Sequence, residues 1–151
     1  MPGSNERALQ KARELAADVL IFDLEDAVAP EAKSGARETI GAALQTGGYG
    51  NRELVIRANG VDTQWWRDDL DFIASESSVS AVVLPKVESA ETVATAASYL
   101  TEKGASDRLA LWPMLETPAG VAAARAIAAL WVLAHTMRTG VTRKRNLLDP
   151  S

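Results

Sequence analysis

Four short apolar runs, each followed by a stretch with helical periodicity, constrain the fold of this chain more than any other feature. They are Val19–Leu24, Leu54–Ala58, Ala81–Leu84 and Leu109–Leu115. Such β/α alternation means parallel strands joined by right-handed crossovers. The repeat suits a (β/α)8 barrel better than a doubly wound sheet, but a closed barrel needs eight strands and typically about 250 residues. The expected fold is therefore α/β: a partial (β/α)8 TIM-type barrel, not closed, with four to five parallel strands. The fifth strand is expected at Leu130–Ala134.

The helical stretches carry their own punctuation. The first runs from Asn5 to about Leu15, with Ser4 or Asn5 as cap and Ala8, Leu9, Ala12, Leu15 and Ala16 on one face. Pro30 opens the second, which ends at about Leu44 before Gly47, Gly48 and Gly50. Asp62 or Thr63 is expected to cap a third through Ile73, and Ser89 a fourth that Gly104 terminates. Thr117-Pro118 reads as cap and first residue of the next.

Composition narrows the class. The chain has no cysteine, which excludes disulfides and thiolate metal sites. MPGSNERALQ has no apolar signal core, and Val121–Ala134 is too short and is interrupted by Arg125, so a cytoplasmic protein with no membrane span is expected. Residues 1–130 hold 12 Lys+Arg against 19 Asp+Glu, whereas residues 131–151 hold four basic residues against Asp149 alone. Without interleaved aromatics that basic run does not point to nucleic acid. The shift instead divides a partial-barrel domain at 1–130 from a divergent tail at 131–151.

Charge at strand ends carries the chemistry. Asp23, Glu25 and Asp26 close the first run, and Glu116 closes the fourth. At the carboxyl ends of parallel strands these acids share a face and could converge on one hard cation such as Mg2+, or simply cap helices and loops. Arg57 lies in an otherwise apolar LVIRANG and needs an anion, either Glu25 or Asp26 or a substrate carboxylate. Lys86 reads as a loop lysine rather than a Schiff-base nucleophile, His135 as incidental, and Gly3-Ser4-Asn5 as an ordinary cap.

With these residues placed, the chain resembles the citrate lyase β-subunit / malyl-CoA (citramalyl-CoA) lyase family of the HpcH/HpaI aldolase superfamily. The resemblance rests on PGSNERALQKA (2–12), ADVLIFDLEDAVAPEAKSGAR (17–37), LVIRANGVDT (54–63), AVVLPKVES (81–89) and LWPMLETPAG (111–120), in family order. It implies a Mg2+-dependent lyase that cleaves citryl, malyl or citramalyl thioesters to an acyl thioester and a 2-oxo acid. By position, Glu116 is implied as the metal ligand and a substrate contact, and Arg57 as the clamp on the substrate carboxylate. Glu25 and Asp26 are implied as catalytic supports of that arginine and of a site water. An acyl-CoA or acyl-thioester and a 2-oxo acid are the implied partners, with a homo-oligomer expected and no nucleic acid or membrane.

The family pattern has a strand before PGSN, where this sequence has Met1, and a second metal-binding acid after the strand following Glu116. Here that later region reads ALWVLAHTMRTGVTRKRNLLDPS, with Thr142 near the expected place and Asp149 as its first acid. The expectation is a chain truncated at both ends that binds Mg2+ weakly. The alternatives are a catalytically inactive remnant or partner-binding half-barrel, and a small flavodoxin-like ligand-binding domain. No glycine-rich phosphate loop supports the last.

Overall fold

The computed structural model describes residues 1–139. It contains strands β1 (Val19–Asp23), β2 (Glu53–Arg57), β3 (Ala81–Leu84) and β4 (Ala110–Pro113). The helices are α1 (Glu6–Lys11), α2 (Lys33–Thr46), α3 (Trp66–Ser75), α4 (Ala90–Glu102), α5 (Pro118–Ala122) and α6 (Ala124–Thr139). The strands form one parallel sheet in the order β1-β2-β3-β4.

That order distinguishes a barrel from a doubly wound sheet where spacing could not. Every crossover moves one strand in the same direction, with no switch point, so the helices collect on one face. Leu20, Phe22, Leu54, Ile56, Val82, Leu84 and Leu111 point into the main core, which also takes in Leu9, Ile40, Leu70, Ile73, Val93, Leu100 and Ile127 from the helices. The alternate residues form a smaller cluster on the opposite face: Val55, Ala81 and Val83, flanked by Val19, Ala110 and Trp112. Ile21 on this face is 40% exposed. In a closed barrel this face lines the interior; here its central residues Val55, Ala81 and Val83 are buried, and the exposure falls on Ile21 at its β1 side.

Both outer edges of the sheet are partly occupied. On the β1 edge, the Met1 ammonium donates to the Ile21 carbonyl, Asp23 N–H to Met1 and Gly3 N–H to Asp23. Residues 1–3 thus lie parallel to β1 like the end of a further strand. Gly3 permits the approach, since a Cβ there would meet the Asp23 carbonyl at 2.8 Å. On the β4 edge, the Trp131 indole donates to the Leu111 carbonyl at 2.5 Å, and Pro113 has no N–H to offer a neighbour.

Several local expectations shift. Leu130–Ala134 is not a fifth strand but lies within α6. ARAIAALWVLAH is rich in Ala and Leu and has no breaker, so helix propensity prevails over a short apolar run that suits either state. Trp131 at its centre packs against the core, so the division at residue 130 does not mark the end of the packed fold; residues 140–151 of the basic tail lie outside those described. The α3 helix begins at Trp66 rather than at Asp62 or Thr63, because Thr63 spends its hydroxyl and amide on the Gly60 carbonyl in a turn. The first helix tightens to a 3-10 turn at Ala12–Glu14, which leaves Leu15 40% exposed rather than on the buried face.

Candidate functional site

The carboxyl ends of the strands bring the charged residues together. Register places Asp23 beside Arg57 on adjacent strands. The guanidinium donates from Nε to Asp23 Oδ1 at 2.7 Å and from Nη2 to Oδ2 at 2.5 Å, a bidentate pair with the carboxylate nearly buried. Its Nη1 lies 3.2 Å from Glu25 Oε2. Arg57 is therefore anchored first by Asp23 and then by Glu25, and Asp26 is not its partner. A guanidinium has five N–H groups, so donors remain on its terminal edge for a ligand.

Asp23 does a second job. Its oxygens accept the amides of Glu25 at 2.8 Å and Ala27 at 3.0 Å, which wraps the LEDA turn around it. Burial alone raises its pKa, but the hydrogen bonds from Arg57 and the two amides outweigh burial and hold it below the usual carboxylate range. The same contacts raise the Arg57 pKa, Asp23 contributing most.

Beneath this turn lies a buried polar layer. Lys33, from the first turn of α2, donates to the Leu24 and Glu25 carbonyls at 2.8 and 3.0 Å and sits over the Trp65 ring. Asn59 donates from Nδ2 to Leu24 at 3.0 Å and to Asp69 at 2.6 Å, and Arg37 closes the network onto Asp69. Burial lowers the Lys33 pKa, opposed by Asp69 and the strand-end acids.

Lys86 gathers the remaining acids. Its ammonium contacts Glu25 Oε1 and, at 3.2 Å, Asp26 Oδ1, while its backbone N–H donates to Glu116 Oε1 at 2.9 Å. Glu25 first and then Asp26 raise the Lys86 pKa to about 12, and the hydrogen bond from Lys86 is the main cause that lowers the pKa of Asp26. An ammonium paired with two carboxylates lacks the desolvated, lowered-pKa amine that imine formation needs, in keeping with its reading as a loop lysine. Its place as the link between three acids was not foreseen, nor was Asp23 as the first partner of Arg57. The four acids also do not converge on one cation: among the described residues no three acids or histidines form a metal-binding group. Asp23, Glu25 and Asp26 are held by cations of the protein itself.

A parallel sheet wound in sequence, with an arginine, a lysine and acids on its carboxyl-end rim, defines the class: part of a (β/α)-barrel, a fold that carries its sites at the carboxyl ends of the strands. The family follows from comparison with known proteins. A model of the HpcH/HpaI aldolase/citrate lyase family matches residues 1–136, and the chain belongs to that family. It is 43% identical over 146 residues, 97% of its own length, to a (3S)-malyl-CoA thioesterase of Cereibacter sphaeroides, of which it covers 47%. It is 37% identical over 134 residues, 85% of its length, to an L-malyl-CoA/beta-methylmalyl-CoA lyase of Rhodobacter capsulatus, of which it covers 42%. Among solved structures it resembles the Mycobacterium tuberculosis protein CitE in complex with magnesium and acetate. The TM-score is 0.66 at 32% identity, with 86% of this chain and 48% of that one covered. The chain spans about half the length of the curated relatives it matches. Among the described residues, no helix is long and apolar enough to cross a membrane.

The rim offers Mg2+ one carboxylate rather than a preformed cage. Mg2+ keeps most of its waters and commonly takes one or two carboxylates plus substrate oxygens. Glu116 fits that role: it is exposed at the rim, with Oε1 fixed by the Lys86 amide and Oε2 available.

Proposed function

We propose that this chain carries the oxo-acid end of a site that acts on CoA thioesters of 3-hydroxy dicarboxylic acids, such as malyl-CoA. The observation that supports this reading most is the bidentate Asp23–Arg57 pair at the strand ends, with Glu116 on the same rim. Asp23 and Glu25 hold the guanidinium square, and its remaining N–H groups receive the carboxylate of the substrate's oxo-acid portion. Glu25 pairs with both Arg57 and Lys86, and Asp26 with Lys86, beside it. Glu116 would hold a Mg2+ ion, which when bound supplies Lewis acidity toward the oxygens of the oxo acid. A cytoplasmic location and a homo-oligomer belong to the same proposal.

The relatives divide between two reactions on one kind of substrate. Breaking the C–C bond of malyl-CoA yields acetyl-CoA and glyoxylate, whereas water added across the C–S bond yields malate and free CoA. Both need the distal carboxylate held, which is the part assigned to Arg57. The lyase reading rests on the family match and the 37% identity to a malyl-CoA lyase; the 43% identity to a thioesterase is the observation favouring the other. Incubating the 151-residue chain with malyl-CoA and MgCl2 tests both. Glyoxylate formation indicates the lyase, thiol release without glyoxylate the thioesterase, and loss of either in Arg57→Met and Glu116→Ala supports the site. Turnover that survives both substitutions contradicts it. With a single acidic ligand among the described residues, turnover is expected to be slow, each missing catalytic group costing a factor of about 10^2–10^4.

A further inference from the structure

We propose that Lys86 is a positioning residue that locks the acid of the β4 end to the acid pair of the β1 turn, so that the two sides of the rim bind a ligand as one unit. The inference rests on the site reading above and assigns a role that reading does not need. Its first support is backbone conformation: Lys86 has φ +50°, and among the described residues no other non-glycine has a positive φ. That region is uphill for a side chain with a Cβ and persists only where surrounding contacts over-determine it.

The contacts that do so converge on this one residue. The amide N–H reaches Glu116 Oε1 across 30 positions of sequence, and the ammonium reaches Glu25 and Asp26 about twice as far along the chain. The neighbouring backbone is fixed on either side. Met114 N–H donates to Leu84 and Val87 N–H to Met114, at 2.9 and 3.1 Å. The helix after Glu116 presses on the same turn, since a Cβ at Gly120 would stand 2.4 Å from the Val87 carbonyl.

Two halves of one residue therefore do different work. Left-handed geometry aims the amide at Glu116, and the ammonium, tethered to the β1 turn, keeps the geometry from relaxing. Removing the ammonium should release the amide as well, and Glu116 with it. A lysine that only balanced charge would leave the amide bond intact when neutralised.

The test uses the whole chain in wild-type, Lys86→Arg and Lys86→Met forms, with Arg57→Met as control. Two readouts are taken: amide hydrogen exchange at position 86, and calorimetric binding of pyruvate in MgCl2. Expected is a protected amide in the wild type and in Lys86→Arg. In Lys86→Met, protection and pyruvate affinity should each fall about tenfold or more, at nearly unchanged thermal midpoint. Amide protection in Lys86→Met equal to wild type overturns the proposal. If pyruvate binds the wild type no better than Arg57→Met, the site reading fails, and the exchange measurement alone then decides the role of Lys86. Should Lys86→Met fold poorly, Asp26→Asn with Glu25→Gln removes the anchor from the other side, and the same loss of protection is expected.

Discussion

Asp23→Ala removes the group on which the rim is built, and its cost can be worked from the contacts. The substitution strips Arg57 of its bidentate partner in a setting where the carboxylate is 4% exposed. Breaking a buried ion pair by deleting one partner costs about 3–5 kcal/mol, because the other charge stays buried. Arg57 keeps Glu25 at 3.2 Å, so the lower figure applies. The amides of Glu25 and Ala27 also lose their acceptor, which adds about 1 kcal/mol after water replaces part of it. The sum is about 4 kcal/mol. In urea unfolding, with a slope of about 2 kcal/mol per molar, the midpoint should fall by about 2 M. Adding Arg57→Met should recover at least about 1 kcal/mol, since no unpaired charge then remains. A midpoint shift below about 0.5 M, or no recovery in the double variant, would show that the pair does not organise the strand ends.

Three further outcomes follow from the same geometry. Because the folded-state pKa of Asp23 lies below the ordinary 3.8, its contribution is present above that pH and is lost as pH falls below it; urea midpoints across the acid range should show a steeper decline in wild type than in Asp23→Asn. Gly120→Ala should destabilise by about 2 kcal/mol in thermal or urea unfolding, since the added methyl meets the backbone carbonyl of Val87 rather than a side chain that could turn away. Lys33→Met removes one donor from each of the Leu24 and Glu25 carbonyls, which keep Asn59 Nδ2 and the Val28 amide, and should cost about 1–3 kcal/mol, with near-wild-type stability excluding a supporting role for the buried layer.

The strands were legible because each is a short β-branched or apolar run bounded by turn residues, and the caps at Ser89 and Thr117 because their hydroxyls have one natural use. The α6 segment was not, since an apolar run of that length has no period that separates helix from strand. Within the site, charge at strand ends singled out Asp23, Glu25, Asp26 and Glu116, and charge within an apolar strand singled out Arg57. The pairing was hidden in register: Asp23 and Arg57 are 34 residues apart and become neighbours only once β1 and β2 align in parallel. Lys86 was hidden more deeply. Its role depends on a left-handed backbone angle, which sequence signals for glycine and asparagine but not for lysine.

Mapping amide shifts of the labelled chain on titration with pyruvate and MgCl2 decides whether the strand-end rim receives the ligand. Perturbations are expected at residues 24–27, 57–60, 86–88 and 114–117, absent in Arg57→Met. Shifts confined to the outer groove between α1 and α2, around Gln10, Arg13 and Glu38, or a map unchanged by Arg57→Met, would contradict that placement.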